Sequence, residues 1–214
     1  MYNSYIIKKV NEISAGIDWE QIPELNVDNF PWDETGYRPK TVAKICYSNK
    51  GLHVFLKSYE KNIRAVNNCI NDPVCQDSCM EFFFNPNPEK DDRYMNLEMN
   101  PIGTFLLGFG KDRHTRGQLK NLNNETFEIK TVVNKENVKC FDEDFWTLEY
   151  IIPFSFMEQY YGILEIKPGK KLKGNVYKCG DKTEIPHYGC WNRINWEKPD
   201  FHRPDFFGEF ILGE

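Results

Sequence analysis

The segment Asp77-Ser78-Cys79-Met80-Glu81-Phe82-Phe83-Phe84-Asn85-Pro86 constrains the chain more than any other. Read as a strand, it sends Met80, Phe82 and Phe84 to one side and Cys79, Glu81 and Phe83 to the other. Apolar residues on both sides predict a central strand, covered on at least part of both faces. Glu81 then lies among aromatics. A carboxylate there needs a partner or a ligand, because burying it alone is costly and displaces its pKa. Asn85-Pro86-Asn87-Pro88 ends the strand, since neither proline can donate to a ladder.

The same alternation recurs along the chain. Tyr5 to Val10 reads as a first edge strand, and Trp19 to Phe30 as an extended segment. Thr41 to Tyr47 and Leu52 to Lys57 read as a hairpin, closed by Ser48-Asn49-Lys50-Gly51 with the glycine at positive φ. Tyr94 to Asn100 places Met95, Leu97 and Met99 on one side, and Tyr94, Asn96, Glu98 and Asn100 on the other. Further strands are expected over 104–109, 127–133, 145–153, 172–177 and 206–212, with a short helix over 153–161. Lys111 to Glu125 reads as a polar, mobile loop. About nine short strands, with turn signals roughly every 8–12 residues, predict an all-β fold. We expect an antiparallel β-sandwich with one short helix, forming a single domain over residues 1–214.

Several function classes are disfavoured by composition. The net charge of −5 is spread along the chain without a basic stripe, so neither nucleic acid nor an anionic membrane is an expected partner. No run of apolar residues approaches a membrane span. The N-terminus lacks the basic and apolar regions of a signal peptide. The seven cysteines are odd in number and contain no Cys-x-x-Cys pair. They are read as reduced thiols in a cytoplasmic protein; zinc is the alternative, against which the ligand spacing argues. Leu107-Gly108-Phe109-Gly110 lacks the spacing of a phosphate loop, and no cofactor is expected.

Two groups of residues remain as a candidate ligand site. Tyr94, Asn96, Glu98 and Asn100 form one polar strand face, to which Glu81, on its own strand among aromatics, is added as a candidate. Lys178, Asp181, His187 and Trp191 belong to a loop cluster in which a flat ring can stack on a sugar. Three readings follow from these residues. The first is non-catalytic carbohydrate binding. The second is an enzyme acting on a carbohydrate-like substrate, with Glu81 or Glu98 as acid/base. The third is a structural or interaction domain.

Val42 to Leu56, Asp77-Ser78-x-x-Glu81-Phe82-Phe83, the strand Tyr94 to Asn100 and Gly103 resemble the first half of family 9 carbohydrate-binding modules and their DOMON-like relatives. Trp146-x-x-Glu149-x-x-Ile152-Pro153, a strand ending near Lys178, Trp191 and Pro204-Asp205-Phe206-Phe207-Gly208 resemble the second half. The resemblance covers residues 40–213, approximately. It implies a β-sandwich that holds a sugar between two tryptophans. The place of the first tryptophan is taken here by Pro73-Val74-Cys75, while Trp191 matches the second. Glu81 matches an acidic position of the family, and the polar residues of the Tyr94–Asn100 strand fall where hydroxyl contacts are made. Calcium sites occur in that family, but no Asp-rich loop in this sequence assigns one.

Overall fold

The structure, a computed structural model, describes residues 2–11 and 16–214; Met1 and residues 12–15 of the expected domain lie outside them. The strands are β1 (Ser4–Lys9), β2 (Leu25–Val27), β3 (Thr41–Tyr47), β4 (Gly51–Ser58), β5 (Cys79–Asn85), β6 (Tyr94–Met99), β7 (Phe105–Gly110), β8 (Gly117–Gln118), β9 (Lys130–Thr131), β10 (Trp146–Pro153), β11 (Lys171–Cys179), β12 (Tyr188–Cys190) and β13 (Gly208–Leu212). One α-helix among the described residues, α1 (Phe154–Tyr161), follows β10.

The strands run in the order β8-β7-β6-β5-β11-β13-β1-β3-β4-β10-β9, with β12 added to β11 and β2 to β3. The layer β8 to β13 curls round onto the layer β3 to β9, and β1 joins them. Ser4 to Ile7 pair with β13, whereas Lys8 and Lys9 pair with β3, both in parallel. The sheet is therefore mixed, not wholly antiparallel as expected. Nor is β1 an edge strand. Tyr5 and Ile7 are buried while Ile6 and the lysines face out, so its mixed composition reflects one wet face and not an unpaired edge.

Between the layers lies one apolar core. Met80, Phe82 and Phe84 of β5 and Met95, Leu97 and Met99 of β6 meet Leu52, Val54 and Leu56 of β4 and Trp146, Leu148 and Ile152 of β10. These are the alternating sets that the sequence pattern picks out. The β3–β4 hairpin has the expected register, Tyr47 opposite Leu52 and Ala43 opposite Leu56. Gly51, however, is not at positive φ. A Cβ there would run into the Ile152 carbonyl of the neighbouring β10, so close approach and not turn geometry requires the glycine. The strand expected over 127–133 shrinks to Lys130–Thr131. A short 3-10 turn occupies Asn124–Phe127, and Glu128 caps it in the left-handed region at φ 47°, which breaks the alternation.

Trp191 belongs to this core. It is 7% exposed, and its ring packs on Phe210 at 4.8 Å between centroids. Gly208 makes room for it, since a Cβ there would strike the indole. Truncation therefore leaves a cavity. We expect Trp191→Ala to cost about 3–5 kcal/mol of stability in denaturant unfolding. A loss under about 1 kcal/mol would show that the ring does not anchor the core.

Candidate functional site

The second face of β5 and β6 carries the chemistry. Antiparallel pairing puts Glu81 directly opposite Glu98, Phe83 opposite Asn96, and Cys79 opposite Cys179 of β11. Residues opposite each other share a face at close range, so the two carboxyls stand side by side. Both are buried, at 2% and 4% exposure. Burial pushes the Glu81 carboxyl well above the usual range, and the charge of Glu98 raises it further; the Cys179 thiol, donating to Oε1 at 3.0 Å, offsets part of this. Burial also raises Glu98, against the opposing pull of Arg116 and of Asn96 Nδ2, which donates to its Oε1 at 2.9 Å.

These carboxyls form the floor of a cavity of about 370 Å³. Arg113 and Arg116 come from the loop after β7, Asp181 from the end of β11, Tyr188 from β12, and Phe201 and His202 from the loop before β13. Gly108 and Gly110 let the arginine loop lie flat on the sheet. A Cβ at Gly108 would meet Asn96 Oδ1 and Arg116 Nη1, and one at Gly110 would meet the Arg116 backbone. Arg113 is held by Asp200, with Nη2 at 2.8 Å from Oδ1. Arg116 Nε and Asn96 Oδ1 are buried and have no hydrogen-bond partner among the described residues. Phe201 stacks on Tyr177 at 4.1 Å and 7°. His202 bonds the Tyr94 hydroxyl through Nδ1 at 2.9 Å. Burial and the two arginines bring its pKa down to about 3, so it is neutral at pH 7.

Of the residues singled out from sequence, Glu81, Glu98 and Asn96 come together here, and the Tyr94 hydroxyl bonds His202 of the cavity wall. Asn100 is placed elsewhere. Its side chain donates to the Asn67 carbonyl and to Asp77 Oδ2 and accepts from the Thr104 amide. Asp77 Oδ2 also accepts from the amides of Val66 and Asn67, so the acidic start of β5 organises the preceding loop.

Lys178 and His187 are not part of the cavity either. Lys178 is register partner to Met80 and faces the opposite side of the sheet. Its Nζ pairs with Glu60 Oε2 at 3.0 Å and donates to His187 Nε2 at 2.7 Å. Trp146 Nε1 and Ser78 Oγ donate to the two oxygens of Glu60. His187 Nδ1 must carry its proton, because it faces the Ile185 carbonyl at 2.8 Å. Burial and Lys178 bring the His187 pKa down to about 4. The ring is neutral at pH 7, and its 3.7 Å approach to Glu60 is not an ion pair. Trp191, in the core, joins neither cluster.

The residues not anticipated from sequence are Arg113, Arg116, Tyr188, Phe201 and His202, whereas Asp181, expected beside Lys178 and His187, lines this cavity instead. One signal for the arginines was available: Gly108 and Gly110, two apart on a strand, clear one face for something to lie on. Phe201 and His202 come from a loop whose path no periodicity reports, and Tyr188 from a strand, β12, too short to show one.

A metal is conceivable at one point on this face. Among the described residues, Cys79, Glu81 and Cys179 form the only group of three such side chains with ligand atoms within 4.8 Å of one another. Two thiols do not suit calcium, which takes oxygen ligands. No helix among the described residues is long and apolar enough to cross a membrane.

Residues 11–212 match the model of carbohydrate-binding family 9. A crystal structure of a Bacteroides uniformis protein proposed to bind carbohydrate is similar at a TM-score of 0.85 and 29% identity, over 99% of this chain and 100% of that one. A family 9 carbohydrate-binding module from Caldicellulosiruptor kristjanssonii in complex with glucose is similar at a TM-score of 0.64 and 12% identity, over 99% and 97%. The cellotriose complex of a family 9 module from the same organism gives 0.62 and 12%, over 99% and 94%. At that identity the last two show the fold. No curated protein matches the chain.

The Lys178 cluster yields two measurements. Lys178→Met leaves Glu60 buried without its cation, and we expect a loss of about 3–5 kcal/mol of stability, part of which Glu60→Gln restores. For His187, the unfolded chain protonates near pH 6.5 and the folded one only near 4. Between these values the unfolded state binds more protons, so the stability present above pH 6.5 falls as the pH drops to 4, by on the order of 3 kcal/mol. An NMR titration of the imidazole should give a midpoint near 4; a midpoint near 6.5 would contradict the buried, neutral assignment.

Proposed function

The chain belongs to carbohydrate-binding family 9, and from this we propose that it binds a saccharide, without catalysing a reaction, in the cavity over Glu81 and Glu98. The observation that carries the site is the pair of unsatisfied polar atoms, Arg116 Nε and Asn96 Oδ1, beside two buried carboxyls. Hydroxyls both donate and accept. They can supply the acceptor that Arg116 lacks and the donor that Asn96 lacks, and can donate to Glu81 and Glu98. Phe201 and Tyr188 offer ring surface for the apolar side of a pyranose.

The placement of the carboxyls favours binding over hydrolysis. Glycosidase carboxyls flank the scissile bond. Here Glu81 and Glu98 lie side by side on one sheet face, and a sugar above them has both on the same side. With Trp191 in the core and Val74 buried in the place of a first tryptophan, no tryptophan pair clasps the sugar. Affinity should then be weak, millimolar to high micromolar, or about −4 to −6 kcal/mol. We read residues 1–214 as one such domain, related also to DOMON-like proteins. A cytoplasmic setting is part of the proposal, supported by seven cysteines that are all free.

Glucose and cellotriose, the ligands of the Caldicellulosiruptor modules, are the first saccharides to titrate by calorimetry. Glu81→Gln and Arg116→Ala should each weaken binding by roughly 10-fold or more, a loss of about 1.4 kcal/mol, with the unfolding midpoint kept. Undiminished binding in both variants would place the saccharide elsewhere.

A further inference from the structure

Three potential metal ligands converge in the floor of the cavity. Cys79 and Cys179 are register partners on β5 and β11, and Glu81 lies two residues along β5 on the same face. Glu81 Oε1 is 3.0 Å from Cys179 Sγ and 3.9 Å from Cys79 Sγ. Zinc binds sulfur at about 2.3 Å and carboxylate oxygen at about 2.0–2.2 Å, so its tetrahedral ligands stand roughly 3.5–3.8 Å apart. The two sulfur–oxygen separations bracket this spacing, and all three ligand atoms lie within 4.8 Å of one another, so side-chain adjustment can bring them onto one ion.

We infer that Cys79, Cys179 and Glu81 form a binding site for a thiophilic divalent cation, zinc by chemistry, with its fourth position opening into the cavity. The donor set selects the ion: two thiolates favour zinc over magnesium or calcium. The scaffold is stiff, because all three ligands sit on adjacent strands rather than on loops. Access exists, since Glu81 and Cys179 both line the cavity. Water entering through the cavity can take the fourth position. Binding is an exchange of protons for metal with no redox step. The two thiols release their protons to solvent, Glu81 releases its own where it holds one, and the three sulfur and oxygen atoms donate to the cation. The site stands independently of the saccharide reading, but both use Glu81, so zinc and sugar should each alter the other's affinity.

The test uses the metal alone. Cys69 and Cys140, both exposed, are first replaced by serine to remove adventitious thiols. The reduced, chelator-treated full chain is then titrated with Co2+. One equivalent should produce a thiolate-to-cobalt charge-transfer band with the intense d–d absorption of four-coordinate cobalt, and one equivalent of Zn2+ should abolish both. Cys79→Ser and Cys179→Ser should each weaken metal affinity by roughly 100-fold or more. Absence of the charge-transfer band, or an equal band in the Cys79→Ser/Cys179→Ser double variant, would overturn the site. Should either variant fail to fold, the protein with both thiols decides. Zinc should raise its unfolding midpoint and EDTA reverse the rise; an unchanged midpoint in excess zinc would also overturn the site.

Discussion

Two carboxyls set side by side on neighbouring strands, almost wholly buried in the floor of a cavity, are the constraint from which the rest of this face follows. Like charges in that position repel, and burial penalises each of them. The surroundings answer with what compensation is available: the Asn96 amide on Glu98, the Cys179 thiol on Glu81, and the Arg116 guanidinium above both. Arg116 can reach that position only because β7 presents Gly108 and Gly110 there. The compensation is incomplete, for an arginine nitrogen and an asparagine oxygen are left over. Buried polar atoms left unpaired are rare in folded proteins, and a cavity that gathers several is suited to a ligand that brings donors and acceptors.

The opposite side of the same strands shows the other way to bury charge. Lys178 points into the interior, but Glu60, His187, the Cys179 carbonyl and Trp146 close around it and leave it no demand. That cluster ties the loop after β4 to the β11–β12 turn. Neighbouring strands thus carry a satisfied ionic network about Lys178 of β11 on one face and an unsatisfied acidic pair on β5 and β6 on the other. The difference separates a structural role from a binding role more clearly than residue type does, since both groups combine carboxylates, cations and histidine.

Period-two alternation made the strands legible. Met80, Phe82 and Phe84 against Cys79, Glu81 and Phe83 held residue for residue, and the β3–β4 hairpin and the short helix after Pro153 formed where expected, though Gly51 serves close approach and not a positive φ. Alternation also brought Glu81, Asn96 and Glu98 onto one face. It could not say which strands were neighbours, so β1 was taken as an edge when it bridges the two layers in parallel. Nor could it distinguish a tryptophan that anchors the core from one that stacks on a sugar. Trp191 follows β12, and its fate was settled by Gly208 and Phe210 far along the chain. Asn100 and Lys178 were misplaced for the same reason. Their partners, Asp77 and Glu60, come from distant segments. The basic and aromatic walls of the cavity arrive on loops, whose course depends on single contacts such as Arg113 to Asp200 and not on any repeating pattern.

The central claim is that the outer face of β5 and β6 is where this family member holds its ligand. A crystal structure of the protein with cellotriose tests it most directly. The account predicts electron density for a sugar ring over Glu81 and Glu98, with hydroxyls bonded to Arg116 Nε and Asn96 Oδ1 and a ring face on Phe201 or Tyr188. A sugar bound instead at another surface, with that cavity free of it, would contradict the account.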